Sequence, residues 1–475
     1  MISRATTPTA SSGRSRHPKP ALAFAVLGTA TMSFTLFRAG EILVSDILFL
    51  LAAAVIVAKI LTGNDRDLAP SQGRWGPTTI AAGAILLLTA GTLSSIRSWD
   101  PTGSMLVVLR FGWVTLIWFW IMRTVCRDRD DFNLILRAWK VSSIVTAFAA
   151  VLGQLGIAYV TQHSGDRQVG LAGHPNQLAG HLAATFLLFL LAVPEPHAGR
   201  TRRARIWWLL SVGLCATALF ASGSMTGLIG IVAGLLVTGV AYITTRTPRA
   251  ATARRSPLGP VLVVLLVAVG AVRLFTSDLA VVDRITRYRE GDTYVTNSVD
   301  SRGQVNSLVT NRFDDFLIVG LGFNNATANV ATSQNLANPE DPAVRVYGVH
   351  NMHLGLLYQA GLAAVVGVML ILATAARQLA ALLRRADPEL YRTTLALVGS
   401  FVAMNTLSLF QPTAFDRFFW MPVALTGCLW SIRRRELRAA APGDASSIDD
   451  RGAMPVLSGR RRAGCCSAAR TCSPA

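Results

Sequence analysis

Two arginines and a histidine stand in polar stretches between long apolar runs, Arg167 in a short stretch and Arg302 and His350 in a long one. A guanidinium presents a planar fork of N–H groups that matches phosphate oxygens. Each such contact is worth about 1.5–3 kcal/mol as a charge-assisted hydrogen bond, and its charge also stabilises a leaving diphosphate. An imidazole with an ordinary pKa of ~6.5 accepts a proton near neutral pH, and a positioned base adds about 10²–10⁴ in rate. Together these residue types suit binding a diphosphate and deprotonating a hydroxyl. The acidic residues of the long stretch, Asp314-Asp315 and Glu340-Asp341, are adjacent pairs whose side chains diverge. They read as solvated loop charges rather than as a divalent-metal cluster.

The neighbours of these residues carry signals of their own. The short stretch ends His174-Pro175-Asn176 before an apolar run, a helix start at which Asn176 or the residues before it can cap free backbone N–H groups. Gly and Pro make any turn, however, and Asn caps any helix. In the long stretch, Phe316 to Asn324 is a short apolar run containing Gly320 and Gly322, typical of a turn that brings backbone close to a partner. Asn324 to Asn338 is rich in Asn, Thr and Ser, which suits sugar recognition and a flexible loop equally. His350-Asn351 then runs straight into the next apolar run.

The elements that must position these residues are membrane spans. Of 475 residues 52% are hydrophobic and only 15% charged, a composition that excludes a water-soluble domain with a polar exterior. Apolar windows of roughly 20 residues, enough to cross a ~30 Å hydrocarbon core, predict about twelve helices. Their centres lie near Gly28, Leu51, Leu87, Trp113, Phe148, Phe186, Leu214, Val232, Leu265, Leu370, Leu397 and Leu425. The first follows Arg14, Arg16 and Lys19 and also has the outline of a signal peptide; a retained helix is preferred because no small-residue cleavage site follows it. The fold class expected is an all-α polytopic membrane protein. Residues 1–20 form a basic cytoplasmic N-terminus, 21–435 the transmembrane domain with a large outer loop at 277–352 between helices 9 and 10, and 436–475 a disordered cytoplasmic tail.

Charge sets the orientation. With the N-terminus inside, about 33 of the 45 Lys and Arg residues fall on the inner side. They include Arg127, Arg129, Arg200 to Arg205, Arg246 to Arg255, Arg384-Arg385 and Arg433 to Arg435. The net charge of +19 therefore reflects topology and contact with anionic headgroups, and without interleaved aromatics it does not point to nucleic acid. The same count places the 277–352 loop and the Thr161–Pro175 loop outside. Cys126, Cys215 and Cys428 fall in or beside helices, and Cys465, Cys466 and Cys472 lack the spacing of a metal site. Within the spans, Arg110, His181 and Arg273 are the ionisable exceptions, and Arg110 and Arg273 read as headgroup anchors or interhelical hydrogen bonds rather than a proton relay.

These residues carry a family resemblance. The chain resembles the O-antigen ligase and O-antigen polymerase superfamily, membrane glycosyltransferases that take glycans from a polyprenyl-diphosphate carrier on the outer side of the cytoplasmic membrane. The resemblance covers about Ala21 to Arg435 and includes the order of helices and outer loops. Arg167 to Leu171 fits the family's Arg-x3-Leu; His350-Asn351, nine residues and then Gly361 fits its His-Asn spacing; Arg302 with Gly320-Leu321-Gly322 looks like its loop arginine and glycine turn. Asn306, Met225 and Ala364 depart from residues common in the family and blur the subfamily. The resemblance implies a helical fold similar to lipid-carrier-dependent (GT-C-like) glycosyltransferases and no metal or other cofactor. It implies that Arg167 and Arg302 hold the diphosphate and His350 activates the acceptor hydroxyl, with Asn176, Asn351, Gly320 and Gly322 expected at the substrate.

The function expected is ligation or polymerisation of glycan repeat units from a polyprenyl-diphosphate donor onto a glycan, lipid or protein acceptor, for cell-surface polysaccharide. A flippase of lipid-linked sugars would show repeated halves and broken helices at mid-membrane, a structural subunit would tolerate loss of the three residues, and a protein O-oligosaccharyltransferase shares the same framework. Sidedness is testable directly. Ser333→Cys should react with a membrane-impermeant maleimide in intact cells, and Arg203→Cys only after lysis.

Overall fold

The computed structural model describes residues 19–35, 38–39, 42–70, 77–98, 100–157, 163–164, 167–191, 201–245, 290, 306–307, 309–311, 313–323, 349–385 and 388–440. Its helices are α1 (Pro20–Ala30), α2 (Val44–Leu61), α3 (Thr78–Ile96), α4 (Pro101–Val125), α5 (Arg129–Gln154) and α6 (Pro175–Leu191). After these come α7 (Thr201–Ala221), α8 (Met225–Thr244), α9 (Met352–Ala360), α10 (Leu362–Arg385), α11 (Pro388–Ser408) and α12 (Arg417–Ala440). Eleven of the twelve predicted centres lie in these helices; Leu265 lies outside the described residues. Among the described residues seven helices are long and apolar enough to cross a membrane, in α2, α3, α4, α5, α7, α8 and α10, and α1 and α6 are shorter apolar helices. The protein is a mostly helical, multi-pass membrane protein.

Local chemistry sets the helix starts. Asp100 caps α4 by accepting the Gly103 amide at 2.9 Å, with Pro101 at the first helical position, where its missing N–H costs nothing. Asp128 caps α5 through the Asp131 amide at 3.0 Å, and Asp46 in the first turn of α2 accepts the Leu43 amide at 3.0 Å. Residues 113–118 of α4 wind as a π-helix.

The chain divides into two compact units, Met1–Ile432 and Arg433–Ala475. In the first, α6 is buried along almost its whole length and packs against α5, α7, α8 and α11. It has no Asp, Glu, Lys or Arg, as a helix surrounded by others should, and its polar row Gln177, His181 and Thr185 finds hydrogen-bond partners inside the protein. In the second, the described residues are the last turns of α12, with an Arg433–Glu436 ion pair at 3.1 Å.

Two helix pairs approach until backbones touch. A Cβ on Gly83 of α3 would lie 2.5 Å from the Gly367 carbonyl oxygen of α10, and one on Gly234 of α8 would lie 2.7 Å from the Gly399 carbonyl oxygen of α11. Lipid tails are as apolar as Leu, so close packing of small residues is what holds such pairs together. The spans also hold more charge than expected: Arg123 is 4% exposed inside α4, and Lys140 of α5 stands 5.7 Å above the Phe189 ring. His181 is buried with its Nε2 2.9 Å from Ser143 Oγ of α5, an interhelical hydrogen bond. Arg273 lies outside the described residues. Gly83→Val should lower stability by about 1–3 kcal/mol through overpacking. Gly239→Val, facing open space on α8, should not, and thermal melts in detergent compare the two.

Candidate functional site

Arg167 is held at both ends of its guanidinium. The strand pair His163–Ser164 with Arg167–Gln168 sets Ser164 opposite Arg167. After it, Val169, Leu171 and Ala172 turn inward and are buried. Gly170 takes φ +53° in that turn, where a Cβ would also lie 2.6 Å from the Thr146 carbonyl oxygen of α5, and the Leu171 amide donates to Thr146 Oγ1 at 3.1 Å. The Arg-x3-Leu spacing is thus a turn that buries its leucine and leaves its arginine half-buried at the bundle end. Arg167 Nε donates to the Ser222 carbonyl at 2.8 Å and Nη2 to Asn176 Oδ1 at 2.7 Å. Asn176 therefore positions the arginine, and the capping role falls to His174, whose Nδ1 accepts the Asn176 amide at 3.1 Å.

The His350-Asn351 to Gly361 spacing is also local geometry. Asn351 Oδ1 accepts the His353 and Leu354 amides at 2.9 and 3.0 Å and caps α9. After the nine residues of α9, Gly361, at φ +82°, ends the helix where a Cβ would collide with the Ile318 carbonyl. His350 is half-buried immediately before the cap. The glycine turn docks on the far end of α9: Leu321 and Gly322 donate to the Tyr358 and Gln359 carbonyls at 3.0 and 2.9 Å, satisfying acceptors that a helix end leaves open. A Cβ on Gly320 would overlap Gln359 backbone, and one on Gly322 (φ +95°) would lie 2.5 Å from Ser98 Cβ. The space at both glycines is filled by protein. Arg97 Nη1 and Ser104 Oγ fasten the same turn to the ends of α3 and α4, by bonds of 2.9 and 2.8 Å to Val319 O and the Phe323 amide.

The segment that joins these pieces, Leu409 to Asp416 between α11 and α12, was missed in the sequence. Gln411 Nε2 donates to Thr226 Oγ1 at the start of α8, and Thr413 Oγ1 reaches Met352 Sδ at 3.6 Å. The Phe415 ring lies 4.9 Å from Phe111 and 6.2 Å from Phe323 between centroids. Asp416 Oδ1 lies 3.5 Å from Gln177 Nε2, the neighbour of Asn176. Burial pushes the Asp416 carboxyl up to about 7, against the opposing pull of Arg417, Arg110 and Gln177. Arg110, expected as a headgroup or interhelical contact, is thus an electrostatic neighbour of Asp416. The one sequence signal for this segment is an acid-base pair, Asp416-Arg417, at the head of a long apolar run.

The site end thus gathers Arg167, Asn176, Gln177, Asp416 and the 222–224 turn, linked through Gln411 and Thr413 to the start of α9, where His350 and Asn351 sit. Arg302 lies outside the described residues. Among the described residues no three of His, Cys, Asp and Glu are placed to hold a cation. A guanidinium held beside hydroxyl and amide side chains can bind an oxyanion, and a half-buried imidazole or carboxylate can accept a proton.

Residues 210–372 match the family model described as O-Antigen ligase. By number the match contains Arg302, Gly320, Gly322, His350 and Asn351 and stops short of Arg167 and Asn176. No curated protein matches the chain. Removing the acceptor that holds Arg167 should be costly whatever the activity: Asn176→Ala is expected to lose about 1.5–3 kcal/mol in thermal melts, and Asn176→Asp, which keeps an acceptor, to lose less.

Proposed function

With the O-antigen ligase and polymerase superfamily as the premise that match supports, we propose that the protein ligates or polymerises glycan repeat units from a polyprenyl-diphosphate donor at the outer face of the cytoplasmic membrane. In this reading about twelve spans carry the large loop between the ninth and tenth to the outside. An acceptor hydroxyl attacks the anomeric carbon as the bond from that carbon to the diphosphate oxygen breaks. His350 takes the hydroxyl proton and polyprenyl diphosphate leaves with the bonding pair. A single displacement of this kind inverts the anomeric centre.

The observation that carries the reading is the Arg167 fork, set by Asn176 and Ser222 at the bundle end to which the start of α9 is also tied. A guanidinium there stabilises the charge that develops on a departing diphosphate. Arg302 joins it in the proposal as the second diphosphate ligand, and Asn351 holds the turn that presents His350. The acceptor is a glycan, lipid or protein hydroxyl.

Reconstituted protein supplied with a lipid-diphosphate glycan should release carrier diphosphate. His350→Ala should slow that release by about 10²–10⁴, and Arg302→Ala and Arg167→Ala should leave lipid-linked units unjoined in cells while the protein remains in the membrane. Normal polymer in all three variants would refute the proposal.

A further inference from the structure

Arg417 has two carboxylates within reach, its chain neighbour Asp416 and Asp46 of α2, 371 residues away in sequence. It is committed to the distant one. Arg417 Nε donates to Asp46 Oδ1 at 2.9 Å and Nη2 to Oδ2, a two-bonded fork largely shielded from solvent, with side-chain exposures of 14% and 11%. Asp46 is itself held in place: Oδ1 also accepts the Trp113 indole N–H at 3.1 Å and Oδ2 the Leu43 amide at 3.0 Å. Each oxygen therefore accepts two hydrogen bonds, and the guanidinium is drawn toward α2.

We infer that Asp46 is a positioning residue for Asp416: by engaging two N–H groups of Arg417 it withholds that guanidinium from the neighbouring carboxylate, so that Asp416 keeps an exchangeable proton beside Gln177. The inference rests on the site reading above in taking this end of the bundle as the place where a hydroxyl proton is handled. The charged groups acting on Asp416 are Arg417 on its own helix and Arg110 on α4, and Gln177 of α6 supplies a neutral donor. With Asp416 already pushed up to about 7 by burial, an arginine free to pair with it would favour the ionised form and lower its titration by about one to three pH units. Asp46 prevents that collapse. The roles of Asp46 and Arg417 in tying α2 to α12 are structural in any account. The asymmetry between them is not.

That asymmetry gives the test. Dicyclohexylcarbodiimide reacts with protonated carboxyls, and peptide mass analysis of the full-length protein reads its labelling at Asp416 across pH without requiring activity. Wild type should lose labelling with a midpoint near 7, and D416N should carry no label there. D46N frees Arg417 and should move the midpoint down by about one to three pH units; R417Q removes the cation and should move it up. Opposite shifts are the expected result. Midpoints that stay put, or that move the same way in both variants because the same ion pair has been broken, overturn the inference. Should D46N fail to fold, Asp46→Ser, whose hydroxyl can still accept the Leu43 amide, makes the same comparison. Carrier-diphosphate release by the His350 and Arg302 variants tests the site reading separately, so either can fail without the other.

Discussion

Polar groups buried between packed helices must find their partners within the protein, because water does not reach them. The eight residues from Leu409 to Asp416 do much of that work. Gln411 is paired with Thr226, Thr413 with Met352 and Asp416 with Gln177, while Phe415 fills the gap between Phe111 and Phe323. These contacts tie the starts of α6, α8 and α9 to the α11–α12 connection. Arg167 and the start of α9 are far apart in sequence, and this segment ties both to the same end of the bundle.

The same constraint explains the spacings of the short motifs in this chain. Between Asn351 and Gly361 there is room for one nine-residue helix, which needs an N-terminal acceptor at one end and a left-handed residue at the other. Gly320 and Gly322 lie against that helix and against Ser98 so closely that no side chain fits. These positions shape the platform on which His350 stands. Their contribution to any chemistry runs through the backbone they allow.

Much of this was legible in the sequence, and for identifiable reasons. Apolar runs of membrane length located eleven helical segments, and a lone arginine in a short loop followed by a helix start marked Arg167 and Asn176. The His-Asn pair marked the start of α9. What could not be read were partnerships between ordinary residues distant in the chain. Gln177 and Asp416 are 239 positions apart and Asp46 and Arg417 are 371 apart, and although the Asp416-Arg417 pair is visible at the head of an apolar run, nothing in the sequence names the distant partner of either. Arg123 and Lys140 were not marked among the span residues; what surrounds them, Gly427 of α12 against the Arg123 guanidinium and the Phe189 ring of α6 under Lys140, comes from other helices, which no single apolar run records.

The two bonds that hold Arg167 have a thermodynamic meaning beyond geometry. An arginine side chain carries about 2 kcal/mol of rotamer freedom, which an untethered arginine must surrender when it clasps an anion. In Arg167 that freedom is already restricted in the folded chain by Ser222 and Asn176. An incoming anion therefore meets a charge whose direction is settled beforehand, and more of the attraction between them is available to the complex as affinity, with correspondingly less spent on ordering the protein.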